Sequence, residues 1–354
     1  MKKEDSVALR GIAVMMMLLL HFFLDITDYP KNLFINPQLF QRFVWTGRMC
    51  VAIFSFVSGY GMYQVLRKKE ALCEMVKDCT KRLLQLYARV LLVILLCVYL
   101  PRFLLGEEIL LSQLPGNLFG YNTVYNGAWW FVLEYMWFML LAPILAMIVN
   151  SRVKKGIRIL IVAVLVLLGM YGKGLIFANP TAIEFFERRM QPVFLVIFTE
   201  GFIAGKMQEF VAGMKWPEKG REIVEKLRHP LVGSVICLAA FVLRYLYSVD
   251  PNRANADVLL APMFCCGACL SFKCVPYIKK ILVILGENSI YLWFVHNLIY
   301  DRLYSFLIKR SGYWLVFYLV MLAISLVLSI ILKKIEKWVK EIGYKVIVSA
   351  NLTT

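Results

Sequence analysis

Charged residues are scarce in this sequence. They make up only 18% of the 354 residues, whereas hydrophobic residues make up 60%, above the roughly 45–50% of a typical soluble domain. A soluble globule cannot cover that much apolar surface. The composition also excludes a disordered chain, a collagenous chain and a small disulfide scaffold. It predicts an integral membrane protein.

Acidic residues are outnumbered by basic ones. The 23 Asp and Glu against 40 Lys and Arg give a formal net charge of +17. In a soluble protein this excess would suggest nucleic-acid binding, but here the basic residues lie in short stretches between apolar runs. Membrane topology explains them better, so no nucleic-acid partner is expected. The nine cysteines are an odd number and most lie in apolar segments, so no disulfide framework is expected.

No signal-peptide cleavage site follows the first apolar run, MKKEDSVALRGIAVMMMLLLHFF, which indicates a retained first helix. A membrane helix needs about 20 mainly apolar residues. By that criterion we predict an all-α polytopic membrane helix bundle of about ten transmembrane helices. The predicted spans are 7–24, 43–66, 83–105, 129–149, 158–175, 192–210, 230–248, 256–272, 281–302 and 313–333.

Lysine and arginine are absent from 106–128 and concentrate in loops on the opposite side, such as RKKEALCEMVKDCTKR and MKWPEKGREIVEKLRH. The positive-inside rule then places both termini in the cytoplasm. The loops are too short for a soluble domain and no internal repeat is present. We expect a single transmembrane domain over residues 1–340 and a short cytoplasmic C-terminal tail over 341–354.

Ionisable residues inside the predicted spans are costly, so each needs an explanation. Arg10 and His21 lie eleven residues apart. At 100° per residue they point within about 20° of each other, roughly 16 Å apart. A guanidinium suits a phosphate-bearing ligand, and a buried imidazole suits proton removal from a hydroxyl. A packed core histidine beside an interfacial arginine fits the same spacing.

The remaining intramembrane polar residues have both functional and structural interpretations. Arg48 and Glu134 line an acceptor path or form a structural ion pair with each other. Ser58 donates a hydrogen bond to a ligand, or its Ser-Gly step marks close helix packing. His296 is a second site residue or a packed core histidine. Arg102, Arg244 and Glu287 are expected to lie near the ends of their spans and extend their charges to the membrane interface.

Two further clusters have a favoured structural interpretation. Trp129 and Trp130 are expected to form an aromatic belt at the outer boundary, with stacking on a sugar as the functional alternative. The four cysteines between 265 and 274 have no nearby histidine and no familiar zinc spacing. We interpret them as small packing residues and expect no metal.

Five segments in order resemble the acyltransferase-3 family of membrane O-acyltransferases. The first span resembles that family's opening span, which carries an arginine and a histidine separated by ten residues, and the late segment matches its Ser-x-Tyr-Leu-x-x-x-His element. The segments are RGIAVMMMLLLHFF, GRMCVAIFSFVSGYGMY, KRLLQLYARVLL, WWFVLEYMWFMLLAPIL and ENSIYLWFVHNLI. Cys50 and Ala52 depart from the family's usual Gly and Asp, and its Arg-x-x-Arg element reads RLLQ here.

The resemblance implies transfer of an acyl group, commonly acetyl, from cytoplasmic acyl-CoA to a hydroxyl of a cell-envelope glycan or lipid-linked acceptor in a bacterial plasma membrane. His21 would act as general base, either directly or through an acyl-histidine, and Arg10 would orient the carrier. Lys81, Arg82 and Arg89 would meet the phosphates of coenzyme A. Acyl-CoA is thus the expected co-substrate, with no permanently bound cofactor.

Two other functions fit the same sequence features. Intramembrane cations and an axial cavity also suit a transporter that exports an anionic solute or glycan. The altered third-span cations suggest a non-catalytic membrane sensor or assembly partner. Neither the acceptor nor the oligomeric state follows from the sequence.

Overall fold

The structure is a computed structural model that describes residues 1–24, 36–150, 191–215, 217–248, 255–311 and 313–351. Within these ranges the chain is helical and contains no strand, as the sequence predicts. The α-helices are α1 (Lys3–Phe22), α2 (Pro37–Thr46), α3 (Met49–Leu66), α4 (Leu72–Val93), α5 (Leu100–Leu105), α6 (Leu114–Phe119), α7 (Phe131–Asn150), α8 (Pro192–Gly213), α9 (Glu218–Leu227), α10 (Pro230–Tyr247), α11 (Asp257–Ser271), α12 (Pro276–Glu287), α13 (Ser289–Ser311) and α14 (Trp314–Asn351). A π-helical stretch, Ile94–Tyr99, joins α4 to α5, and a 3-10 turn, Gly127–Trp130, precedes α7.

Proline and glycine set several helix ends. Pro37 occupies the first turn of α2, where its missing N–H leaves no bond unmade. The preceding Asn36 side chain accepts a hydrogen bond from the Gln38 N–H at 2.9 Å. Helices α5 and α6 end at Gly106 and Gly120, whose φ angles of 69° and 76° lie in the left-handed region that favours glycine.

Six described helical segments are long and apolar enough to cross a membrane. They are Lys3–Phe22, Pro37–Leu66, Leu72–Leu105, Gly127–Val149, Pro230–Tyr247 and Trp314–Gly343. The pair Pro276–Glu287 and Ser289–Tyr304, bent by 74°, makes a seventh if it counts as one span. Of the other predicted spans, 192–210 coincides with α8 and 256–272 with the shorter helix α11, while 158–175 lies outside the described residues. The count of ten and the orientation of the termini therefore stay predictions.

Reciprocal glycine contacts bring the central helices together. A Cβ on Gly59 of α3 would collide with the Phe198 carbonyl of α8, and one on Gly201 of α8 would collide with the Phe56 carbonyl of α3. The same relation joins Gly11 of α1 to α12. Small residues let membrane helices pack backbone against backbone. The Ser58-Gly59 step thus lies where α3 and α8 cross closely, as its structural interpretation predicts.

Helix α1 has neighbours on several sides. It packs against α12 and α3, and also contacts α13 and α14. Several of its side chains, among them Ser6, Arg10, Met17 and His21, line an interior cavity. The position of α1 therefore decides which of its polar residues can meet a ligand.

Candidate functional site

A cavity of 1580 Å³ opens between α1, α3, α4, α8 and α13. Its lining reaches from Lys3 at one end of α1 to His21 near the other. Eighteen residues of helix span about 27 Å, close to the ~30 Å hydrocarbon thickness of a bilayer. The cavity is therefore long enough to connect one membrane face with the region near the other.

Arg10 and His21 both line this cavity. The helical spacing that places them on one face of α1 agrees with this position. Within the described part of the chain, Arg10 forms no ion pair and its buried Nε has no hydrogen-bond partner. Glu287 lies within electrostatic range of Arg10 without forming an ion pair with it, and a guanidinium inside a membrane protein is favoured when an anion meets it directly. The cavity at Arg10 is thus suited to an anionic group.

His21 lies against the second histidine of interest, His296. Their ring centroids are 4.9 Å apart and the rings are tilted by 58°. His296 is fully buried, and its Nδ1 lies 2.7 Å from the Trp293 carbonyl oxygen. Because a carbonyl oxygen only accepts, Nδ1 carries the proton and Nε2 keeps its lone pair. That Nε2 has no hydrogen-bond partner among the described residues, so its lone pair stays free to accept a hydrogen bond.

Arg48 and Ser58 also line the cavity, whereas Glu134 does not. Arg48 lies within electrostatic range of His21. The Glu134 side chain is buried and accepts a hydrogen bond from the Gln191 N–H at 3.0 Å. This hydrogen bond connects α7 to the start of α8. Glu134 therefore has a structural contact, but its partner is Gln191 and not Arg48.

The three cations predicted to meet the carrier separate into two groups. Arg82 and Arg89 line the cavity, but Lys81 lies in a different groove beside α14. The Nε of Arg89 is 3.0 Å from a carboxylate oxygen of Glu336, and the Tyr291 hydroxyl donates to the other oxygen at 2.8 Å. Of Lys81, Arg82 and Arg89, Arg82 is therefore the one that lines the cavity without an ion pair in the described ranges.

The prediction for Arg244 was wrong. Its side chain is 2% exposed and its Nε lies 2.7 Å from Asp257 Oδ1, so the charge is paired inside the bundle and does not reach the interface. The guanidinium also donates to the Ser248 hydroxyl at 2.9 Å. The two residues lie in different predicted spans, because Asp257 begins the next helix, so the sequence of one span does not reveal the pair. The acidic residue at the start of α11 was the available signal.

The two neighbouring tryptophans have different positions. Trp129 is fully buried, and its indole N–H donates to the Phe294 carbonyl oxygen at 3.1 Å. It is therefore a core residue and does not belong to an interfacial belt. Trp130 lines the cavity, as does Trp293 of α13. Sequence reasoning also missed Lys3 and Arg67, which line the cavity at the end opposite His21.

The cysteines are all free thiols. Cys265 is buried in α11, in agreement with a packing role for that cluster, while Cys266 and Cys274 are exposed. In the ranges that the structure describes, no group of three His, Cys, Asp or Glu side chains is placed to hold a metal ion.

A family model described as an acyltransferase domain matches residues 7–334 of this chain. The matched region contains the cavity residues from Arg10 to Trp293 and nearly all of the described helices. No curated protein and no solved structure matches the chain.

Proposed function

The chain belongs to the acyltransferase-3 family, and on that premise we propose that it transfers an acetyl group from cytoplasmic acetyl-CoA to a hydroxyl of a cell-envelope glycan or a lipid-linked acceptor. The observation that carries the proposal is that Arg10, without an ion pair in the described ranges, and His21 line the same cavity. The proposed location is a bacterial plasma membrane, with the amino-terminal end of α1 at the cytoplasmic face.

The cations at one end of the cavity are suited to hold the carrier. Arg82, Arg67 and Lys3 line the cavity toward the amino-terminal end of α1, and Arg10 lies further in. Coenzyme A carries several phosphates, and guanidinium groups bind phosphate through two parallel hydrogen bonds. In the proposal, these residues hold the nucleotide end while the thioester arm extends along α1 toward His21, roughly 16 Å beyond Arg10.

His21 is the proposed general base. The acceptor hydroxyl gives its proton to a ring nitrogen of His21 while its oxygen attacks the thioester carbonyl carbon. The carbon–sulfur bond then breaks, the electron pair leaves with the thiolate, and the histidinium returns the proton to sulfur. The products are the acetyl ester and coenzyme A. Only a neutral imidazole can begin this cycle, and the nearby Arg48, a cation, cannot accept the proton in its place.

His296 is proposed to orient His21. Its Nδ1 is fixed by the Trp293 carbonyl, and its ring packs against His21 in a fully buried position. A packed ring neighbour limits the rotation of the His21 side chain. Orientation of the base within hydrogen-bond reach of the hydroxyl is a requirement of general-base catalysis. His296 does not line the cavity itself, so we assign it no contact with substrate.

The acceptor is proposed to bind at the His21 end. Arg48, Trp130 and Trp293 line the cavity there. Aromatic surfaces together with a few polar groups are typical of small-molecule binding sites. A sugar ring presents both apolar faces and hydroxyls, so it fits this combination. Donor and acceptor would thus reach the reaction point from opposite ends of one cavity.

Radiolabelled transfer tests the proposal. Membranes with the wild-type protein are incubated with [14C]acetyl-CoA and envelope polysaccharide from the producing cells, and label is measured as hydroxylamine-labile ester. We expect ester formation with the wild type and a loss of about 10²–10⁴-fold in His21→Gln. His229→Gln is the matched control because His229 is exposed and caps α10. It should keep wild-type transfer.

The transporter interpretation gives a different result in the same preparation. Saturable movement of an anionic solute into proteoliposomes, with no ester formed, would support export and would overturn the proposal. Equal ester formation by His21→Gln and the wild type would reject His21 as the base while leaving acyl transfer in place.

A further inference from the structure

A second groove lies between α4 and α14, outside the cavity described above. It measures 680 Å³. Its charged lining residues are Lys77, Lys81 and Arg89 of α4 and Glu336 and Lys340 of α14, and its apolar surface comes mainly from Leu84, Leu92 and Val339. Leu84 is 61% exposed and Val339 49% exposed. The groove therefore opens on the outer surface of the helix bundle, which in a membrane protein faces lipid.

The two α4 lysines of this groove precede its leucines along the helix, and Arg89, which lies between Leu84 and Leu92, is paired with Glu336. The α4 residues at 77, 81, 84, 88 and 92 recur every three or four positions and form one stripe. Lys77 and Lys81 occupy the first turn of the stripe, and Leu92 lies about 16 Å further along the axis. Half of a hydrocarbon core measures about 15 Å. The lysine end of the groove and the leucines beyond it thus match the headgroup and the acyl chains of one leaflet, and the charge of Arg89 within that length is balanced by Glu336.

The position of the lysines agrees with this match. Leu72–Leu105 is 34 residues long, or about 51 Å, so its first turns extend well beyond a ~30 Å hydrocarbon core. Lys77 and Lys81 are exposed in these turns and form no ion pair within the ranges described. On α14, the charged residues begin at Lys333, after the apolar part of the helix. Both helices therefore place their cations at the same membrane face.

We propose that this groove binds an anionic phospholipid, with the phosphate at Lys77, Lys81 and Lys340 and an acyl chain along Leu84, Leu92 and Val339. The proposal does not depend on acyl transfer. The Lys81 side chain lies in this groove, whereas the side chain of the next residue, Arg82, lines the cavity. The proposal therefore assigns Lys81 to a lipid phosphate and not to the phosphates of coenzyme A.

The Lys340 end of the groove has a competing carboxylate. Lys340 contacts Glu336, which also holds Arg89 and accepts the Tyr291 hydroxyl. A lipid phosphate would share Lys340 with Glu336, whereas Lys77 and Lys81 form no ion pair in the described ranges, where the Asp78 carboxylate lies only within electrostatic range of Lys81. The affinity is therefore expected to depend mainly on the two α4 lysines, and these are the residues to change.

Native mass spectrometry of the purified full chain tests the proposal, with phosphatidylglycerol and phosphatidylcholine as probes. We expect phosphatidylglycerol to bind at least tenfold more tightly. The Lys77→Gln, Lys81→Gln double variant should weaken phosphatidylglycerol about 30-fold, at roughly fivefold per lysine near a lipid headgroup, and leave phosphatidylcholine unchanged. The matched control is Lys334→Gln, Lys337→Gln, which removes two exposed lysines of α14 that do not line the groove. It should change phosphatidylglycerol binding less than twofold.

Three outcomes would overturn the proposal. Equal affinity for the two lipids would show that the headgroup charge is not recognised. Equal losses in the groove and control variants would indicate a general electrostatic effect of the surface. Displacement of phosphatidylglycerol by glycerol 3-phosphate or by coenzyme A at similar concentration would assign the groove to a soluble phosphate and not to a lipid.

Discussion

Removal of the Asp257 charge should destabilise the folded bundle strongly. The Arg244–Asp257 pair joins α10 to α11, its side chains are 2% and 1% exposed, and its closest atoms are 2.7 Å apart. Asp257→Asn leaves a buried guanidinium without a counter-charge, which costs about 3–5 kcal/mol. At 1.4 kcal/mol per tenfold, the folding equilibrium should fall by more than 100-fold. Unfolding of the protein in mixed micelles by sodium dodecyl sulfate, followed by circular dichroism, measures this change.

The double variant distinguishes the cost of an unpaired charge from a net benefit of the pair. Arg244→Met combined with Asp257→Leu removes both charges, and such replacements are often neutral or stabilising. We expect the double variant to be more stable than Asp257→Asn by about 3 kcal/mol. Glu222→Gln is the control, since its pairing with Lys226 is exposed and worth little. A double variant as unstable as Asp257→Asn would refute the reasoning, as would an Asp257→Asn that matches the control.

Three further outcomes follow from the packing and the cavity. Gly59→Ala should reduce the yield of monodisperse protein measured by size-exclusion chromatography, because the added Cβ would collide with a backbone carbonyl of α8. Gly61→Ala on the same helix is the control. Its Cβ would meet nothing within 4 Å, so its yield should equal that of the wild type. Arg10→Gln should raise the KM for acetyl-CoA about tenfold or more in a transfer assay, because it removes a charge-assisted hydrogen bond of ~1.5–3 kcal/mol. Arg228→Gln, at an exposed position, should leave that KM unchanged. A larger rise in KM for Arg228→Gln than for Arg10→Gln would contradict the assignment of Arg10 to the carrier. Trp129→Phe should lower stability by about 1 kcal/mol through the lost indole hydrogen bond, and an unchanged unfolding curve would argue against that contact.

The features that sequence could predict are those set by helix period and composition. The all-helical architecture of the described residues and the membership of the acyltransferase-3 family are confirmed. The common direction of Arg10 and His21 follows from eleven residues of regular helix, and both line the cavity. These properties depend on local geometry, which a single segment of sequence determines.

The features that sequence could not predict depend on packing between helices. Lys81 and Arg82 are adjacent, so their side chains differ by about 100° around α4, and the packing of α4 against its neighbouring helices decides which one faces the cavity. The contact of His21 with His296 joins the first helix to a late one. The resemblance named both histidines but gave no distance between them. Trp129 and Trp130 likewise divide between core and cavity according to the packing of α13.

Photocrosslinking of the donor tests the central claim most directly. The wild-type protein in proteoliposomes is irradiated with an acyl-CoA analogue that carries a diazirine in its acyl chain, and the labelled residues are identified by mass spectrometry. The account predicts labels on cavity residues close to His21, such as Met17, Leu20 and Phe54, that disappear with excess coenzyme A. Labels confined to the lipid-facing surface at Leu84, or labels that coenzyme A does not remove, would contradict it.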